Sequence, residues 1–220
     1  MSAETYLREI RGLLDRLERD SLGSIEQAAT AAADCLAAGH RIWVATTTYC
    51  LHEEATGRAG GFIAVHVLDD AALVSPGDLV LIGSPVGTSS RTIDLAIGTH
   101  QRGGTVVALT NVAFEDEPET LLEHPTRARL HELADIVVDV PGPLGDGVFA
   151  VDELGLRAIP HSGVTGMTAM WMLFSEALAI LRQRGTTPRL YQCVNEPGAR
   201  DKNAAQLAAY HETGVGILTP

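Results

Sequence analysis

One pattern constrains this chain more than any other. Short apolar runs rich in β-branched residues, too short for helices, alternate with segments of helical period. Residues 41–46 (Arg-Ile-Trp-Val-Ala-Thr), 62–68, 78–82 (Asp-Leu-Val-Leu-Ile), 105–110 (Thr-Val-Val-Ala-Leu-Thr) and 136–140 each read as a strand. Several of these runs show no polar alternation, which marks strands buried on both faces. Strands of that kind, separated by helices, form a parallel sheet covered on each side. The expected fold is therefore α/β: a three-layer α/β/α sandwich around a five-stranded parallel sheet, preceded by N-terminal helices.

The helices are legible by period and punctuation. Tyr6, Leu7, Ile10, Leu13, Leu14 and Leu17 form an amphipathic stripe. A second helix is expected from Ser24, with Gln27 completing a capping box, to Gly39. Further helices are expected over 53–60, 92–102, 163–184 and 200–212. A short strand is expected at 190–194, and residues 141–147 (Pro-Gly-Pro-Leu-Gly-Asp-Gly) read as loop. Residues 111–131 read as loop and short helix. No repeat or linker interrupts the pattern. One domain over 1–220 is the simplest organisation, with a helical extension over 1–39 and a tail over 186–220.

Charge narrows the functions open to such a fold. The chain has 220 residues and a formal net charge of −12, with 28 acidic against 16 basic side chains. Only one of the cations is a lysine, Lys202. A P-loop lysine is therefore missing, and Schiff-base chemistry has only Lys202 to draw on. So acidic a surface repels polyanions, so nucleic acid and anionic membranes are not expected partners. The first twenty residues form neither a signal peptide nor a membrane span, and the three scattered cysteines form no disulfide framework or zinc site. A cytoplasmic protein with no metal or cofactor is expected.

In an open parallel sheet, ligands bind beyond the carboxyl ends of the strands. Two loops there are rich in hydroxyls: Thr46-Thr47-Thr48-Tyr49-Cys50 and Gly83-Ser84-Pro85-Val86-Gly87-Thr88-Ser89-Ser90. One Ser or Thr before a helix needs only the reading of an N-cap. Ser84, Thr88, Ser89 and Ser90 beside Gly87 exceed that need. Hydroxyls and the free N–H groups of a helix N-terminus can hold an anion without a lysine. Arg91 follows directly. His52-Glu53-Glu54 begins the next helix, where one carboxylate can face a cleft as a general base. It equally suits a solvated face with Arg58 paired four residues beyond Glu54. His66 with Asp69 and Asp70 is a weak candidate for a cation at a strand end.

These stretches resemble the sugar isomerase (SIS) domain family over nearly the whole chain, and within it uncharacterised bacterial proteins related to phosphoheptose isomerase. Glu54-Ala55-Thr56-Gly57-Arg58 resembles the Glu-Leu-Thr-Gly-Arg motif of those enzymes, and residues 84–89 lie over the family's phosphate loop. Pro160-His161-Ser162, Asn195, Gly198 and Asn203 resemble the uncharacterised group. The resemblance implies that Glu54 is a catalytic acid/base and that Thr47, Thr48, Ser84, Gly87, Thr88 and Ser89 bind substrate or phosphate. It implies an aldose–ketose isomerase acting on a phosphorylated or otherwise anionic sugar. Isomerisation also needs a second acid; His161, which precedes the long helix near the expected cleft, is the candidate, with His124 and His52 weaker ones. A lyase or etherase on a sugar acid, and a non-catalytic sugar-phosphate sensor, stand as alternatives. It also implies a homodimer or homotetramer. The chain departs from the family where Ala45-Thr46-Thr47-Thr48 replaces a glycine-rich first loop, where Pro85 and Val86 remove an N–H and a hydroxyl, and where the long helix lacks a histidine.

Overall fold

The computed structural model describes residues 2–46, 49, 51–113 and 121–218. It begins with one helix, α1 (Ala3–Ala37), capped by the Ser2 hydroxyl, which accepts from Thr5 N. The expected break at Ser24 is absent. The Ser24 hydroxyl donates to Ser21 O inside the helix, and the neighbouring Gly23 lies on a face with nothing packed against it. A serine that satisfies itself within a turn does not need to cap one.

The five expected strands then follow: β1 (Ile42–Thr46), β2 (Val65–Val67), β3 (Leu79–Gly83), β4 (Thr105–Thr110) and β5 (Ile136–Asp139). They pair in parallel in the order β2-β1-β3-β4-β5. That order places the topological switch at β1 and β3, where the chain leaves in opposite directions. Between the strands lie α2 (Leu51–Ala55), α3 (Ser90–Gln101) and α4 (Leu130–Leu133). Ser89 caps α3, its hydroxyl accepting from Thr92 N.

Side-chain alternation along the strands divides the core in two. Ile42, Val44, Leu79, Leu81, Val107, Leu109 and Val138 face α1, α2 and α5 (Ser162–Gln183). Trp43, Ala45, Val80, Ile82, Val106 and Ala108 face α3 and α4. The sheet is thus buried on both sides, as its uninterrupted apolar runs require. Ala28, Ala29, Ala32 and Ala33 are fully buried, which lets α1 lie close against α5 and the sheet. The Ser21 hydroxyl pins the middle of α1 to the sheet by donating to Asp139 O at 2.7 Å. Helix α5 is long and apolar enough to span a membrane by composition, yet Ala169, Met170, Leu173, Phe174, Ala177 and Leu181 are buried in this core.

Two further regions differ from expectation. Residues Gly147–Val151 and Leu156–Pro160 form an antiparallel hairpin, β6 and β7, ahead of α5. The expected strand at 190–194 is reduced to a single bridge between Phe62 and Leu190. Instead β8 (Thr187–Pro188) pairs with β9 (Ile217–Leu218) around α6 (Ala199–Thr213). Asn203 explains the irregular backbone before α6. Its side chain accepts from Gln192 N and donates to Gln192 O, satisfying groups a strand partner would have bonded.

Candidate functional site

The loops after β1, β3, β4 and β5 converge on one cavity of about 320 Å³. Tyr49 follows β1; Ser84, Pro85, Val86, Thr88 and Ser89 follow β3; Asn111 follows β4. Val140, Pro143, Gly145 and Asp146 follow β5, and His161 closes the cavity at the start of α5. The expected pocket thus lies at the carboxyl edge beside the topological switch. Four sequence-predicted residues meet there: Ser84, Thr88, Ser89 and His161. Thr47 and Thr48 lie outside the described residues.

The loop after β3 is held in a fixed shape. Gly87 takes a φ of +67°, donates its N–H to the Ser84 hydroxyl at 3.1 Å, and accepts from Leu130 N. A Cβ on Gly87 would lie 2.9 Å from Leu130 Cβ. Gly87 therefore shapes the turn that carries Ser84, Thr88 and Ser89, and is not itself among the described lining residues. The Ser89 hydroxyl is shared between Thr92 N and Thr92 Oγ1 as the α3 cap. The Glu123 carboxylate approaches the same helix end, 3.4 Å from Ser90 N. A negative charge already rests where the helix dipole favours one. Arg91 turns away to pair with Asp69 at 3.0 Å.

His161 is the imidazole that lines the cavity. It is 5% exposed, and its Nδ1 is a buried atom with no hydrogen-bond partner among the described residues. Its Nε2 lies 3.5 Å from Pro143 O and 3.7 Å from Asp146 Oδ1. Burial lowers its pKa below the ordinary value, only partly offset by Pro143 O and the Asp146 carboxylate. Gly142 makes room for the ring: a Cβ there would fall on the imidazole. Asp146 in turn accepts from Ser162 N and Ser162 Oγ, both at 2.9 Å, and from His161 N at 3.3 Å, so it caps α5. Tyr49 walls the cavity opposite. It is 1% exposed and its ring lies where Cβ atoms on Gly83 and Gly166 would sit. Its pKa is pushed up by burial, then by Asp146 and Asp139.

Glu54 stands elsewhere. It lines a larger, more open groove of about 840 Å³ between α1, α2 and α5, together with Leu22, Ile25, Met167, Trp171 and Met172. Its carboxylate pairs with Arg58 at 2.8 Å and accepts from Trp171 Nε1 at 3.2 Å. Among the described residues, none lines both the groove and the cavity. The weaker histidine candidates are engaged: His52 Nε2 accepts from Thr46 N, and His124 meets Asp94 and Thr126. His66 Nε2 lies 2.6 Å from Tyr210 Oη, and the described residues contain no cluster of three metal-ligating side chains. Lys202 is exposed on α6.

Tyr49, Asn111 and Asp146 were not singled out in the sequence. Asp146 had a signal: it sits in the glycine-rich loop after the fifth strand, another carboxyl-edge loop. Asn111 likewise ends β4, where its side chain donates to Gly142 O at 2.8 Å and braces that same loop.

The fold matches known structures. A phosphoheptose isomerase from Francisella tularensis superposes with a TM-score of 0.60, at 15% identity over 80% of this chain and 98% of that one. The fold is that of the sugar isomerase (SIS) domain. The same SIS architecture relates the chain to the NanR protein of Vibrio vulnificus, solved with ManNAc-6P, at a TM-score of 0.52, 12% identity, and coverage of 95% and 68%. No family model matches the sequence. Among relatives, a UPF0309 protein of Brucella canis is 28% identical over 235 aligned positions, covering 94% of this chain and 93% of that protein. A UPF0309 protein of Oceanobacillus iheyensis is 29% identical over 146 residues, and this match spans only 58% of that relative.

Proposed function

We propose that this SIS protein binds a small sugar phosphate, or another anionic sugar, at the carboxyl edge and interconverts its aldose and ketose forms. The observation that carries the reading is His161: a buried, neutral imidazole with an unpartnered nitrogen, lining the cavity beside the Ser84–Ser89 loop. The end of α3, where the Glu123 carboxylate rests, supports binding of the anionic group by displacing that side chain. His161 removes the proton from the carbon beside the carbonyl while the proton of that carbon's hydroxyl passes to the carbonyl oxygen, giving an enediolate. The imidazolium, after exchanging its proton with solvent, protonates the former carbonyl carbon, and the remaining oxygen becomes the new carbonyl. A lowered pKa suits this task, because it keeps the base unprotonated at neutral pH.

A second reading, ligand sensing without turnover, is favoured by the position of Glu54. The residue that the resemblance makes catalytic is held by Arg58 and Trp171 in a different groove. One experiment separates the two. Aldose and ketose phosphates are incubated with the protein in D2O, and exchange at the carbon beside the carbonyl is followed by NMR. Exchange that disappears in His161→Gln supports isomerisation. A ligand that raises the melting temperature without exchange supports sensing. Neither stabilisation nor exchange with any sugar phosphate refutes both. The groove's apolar wall, with Leu22 at 45% exposure, supports at least a homodimer. A monomer by light scattering at micromolar concentration contradicts that part.

A further inference from the structure

We infer that Asp146 is a positioning residue that fixes the tautomer of His161, holding the ring proton on Nε2 and leaving Nδ1 as the base. This rests on the proposed function only in naming the proton that Nδ1 would take. The tautomer itself follows from the surroundings of the ring.

Two acceptors face Nε2, Pro143 O at 3.5 Å and Asp146 Oδ1 at 3.7 Å. A lone pair on Nε2 would point at two other oxygen lone pairs in a site where His161 is 5% exposed, and a proton there meets both favourably. Nδ1 has no hydrogen-bond partner among the described residues. A proton on Nδ1 would therefore be an unsatisfied buried donor, at a cost that the other tautomer avoids. The lone pair left on Nδ1 is the feature a proton-transfer site uses.

Asp146 can do this because its carboxylate is anchored. Three donors, from His161 N, Ser162 N and Ser162 Oγ, hold its two oxygens at the start of α5. Its backbone takes the left-handed region, with φ +60°, which an aspartate tolerates better than most residues. One carboxylate thus caps the helix, orients the ring and sets the site of its proton. Among the charged groups around the ring, Asp146 favours the imidazolium and Arg157 of β7 opposes it. Tyr49 faces the same cavity with its pKa pushed upward, so it stays a neutral phenol.

The test needs no substrate. Imidazole nitrogen shifts and two-bond couplings are recorded on the 15N-labelled full chain at pH 7.5, with the His161 signals assigned by their absence in His161→Gln. The expected wild-type pattern is a protonated Nε2 and a bare Nδ1. A protonated Nδ1 in the wild type overturns the inference by itself, even if Asp146 variants fail to fold. Asp146→Asn places an amide where the anion was, and a shift of His161 toward the other tautomer, or a mixture, is expected. An unchanged tautomer in folded Asp146→Asn also overturns it. Ser162→Ala removes one anchor but keeps the charge, and should leave the tautomer in place; loss of the tautomer there assigns it to helix capping and overturns the charge argument. Should sugar turnover be found, Asp146→Asn lowers kcat about tenfold or more with little change in KM. Absence of turnover on every sugar would remove the isomerase reading and leave the tautomer result standing.

Discussion

Substituting Gly166 by alanine should destabilise the protein, although alanine is the better helix former. Gly166 lies inside α5, where replacing glycine by alanine contributes about 1 kcal/mol in favour of the helix. Here the new Cβ would lie 2.6 Å from both Cδ1 and Cγ of the Tyr49 ring. Tyr49 is 1% exposed and is held on its other side by β3, where a Cβ on Gly83 would also strike it. A ring confined in this way cannot step aside, and overpacking of a tight core costs about 1–3 kcal/mol. The net effect is a loss of about 1 kcal/mol, or roughly 2–4 °C in Tm for a domain of this size. The sharper test is a double-mutant cycle. Tyr49→Ala alone should cost about 3–5 kcal/mol through the cavity it leaves. In that background the clash is gone, so Gly166→Ala should now stabilise by about 1 kcal/mol. Urea unfolding of the four proteins measures the change of sign, a coupling of about 2 kcal/mol. A stabilising Gly166→Ala in the wild-type background, or the same effect in both, would refute the placement of the Tyr49 ring as a wall between helix and sheet.

Other expectations follow from the same packing. Asp78 is 2% exposed and accepts from Arg41 N, Trp43 Nε1 and Ser75 N, so Asp78→Ala strands three donors and should cost about 3 kcal/mol or more in chemical denaturation. Burial holds His66 and His161 below their ordinary pKa, so just below pH 6.5 the unfolded chain binds more protons than the folded one. Their contribution to stability is full above that pH and is lost as pH falls through the folded pKa values; unfolding curves at pH 7.5 and 5.5 read it, and it should shrink in His66→Gln. Burial pushes the Cys35 thiol up to about 12, so alkylation of Cys35 at pH 8, followed by mass spectrometry, should require unfolding. Glu54→Gln weakens the ion pair with the half-exposed Arg58, should cost about 1 kcal/mol or less, and should leave ligand binding in the cavity intact.

How far the fold could be read in advance depends on where each element finds its partners. The sheet strands carry their own signal, because a strand buried on both faces must be apolar throughout, and all five were legible. Ser24 misled because a serine inside a helix and a serine capping one look alike until the Ser21 carbonyl takes its proton. The hairpin β6–β7 was hidden by a sequence with weak alternation and by Leu154, Leu156 and Ile159, whose side chains are exposed. Its position comes from outside the hairpin, through Val148 packed against Ile10 and Leu13 of α1. The cavity was legible as a place, since parallel sheets bind ligands at one edge. The separation of Glu54 from that cavity was not: the pair with Arg58 was legible from its spacing, but the bond from Trp171, 117 residues away, is a contact that no local pattern announces.

The first turns of α1 have a mechanical meaning. Tyr6 Oη donates to Pro160 O at 3.2 Å, one residue before His161, and Ile10 and Leu13 clasp Val148, two residues after Asp146. The two residues that define the base are therefore the two feet of a hairpin whose body is gripped by the helix. Thirty-five residues of α-helix make a rod of about 52 Å, anchored at its middle by Ser21 on Asp139. Its C-terminal half buries one face from Ile25 to Leu36, so the helix is a strut that ties the hairpin, and with it Asp146 and His161, to the sheet.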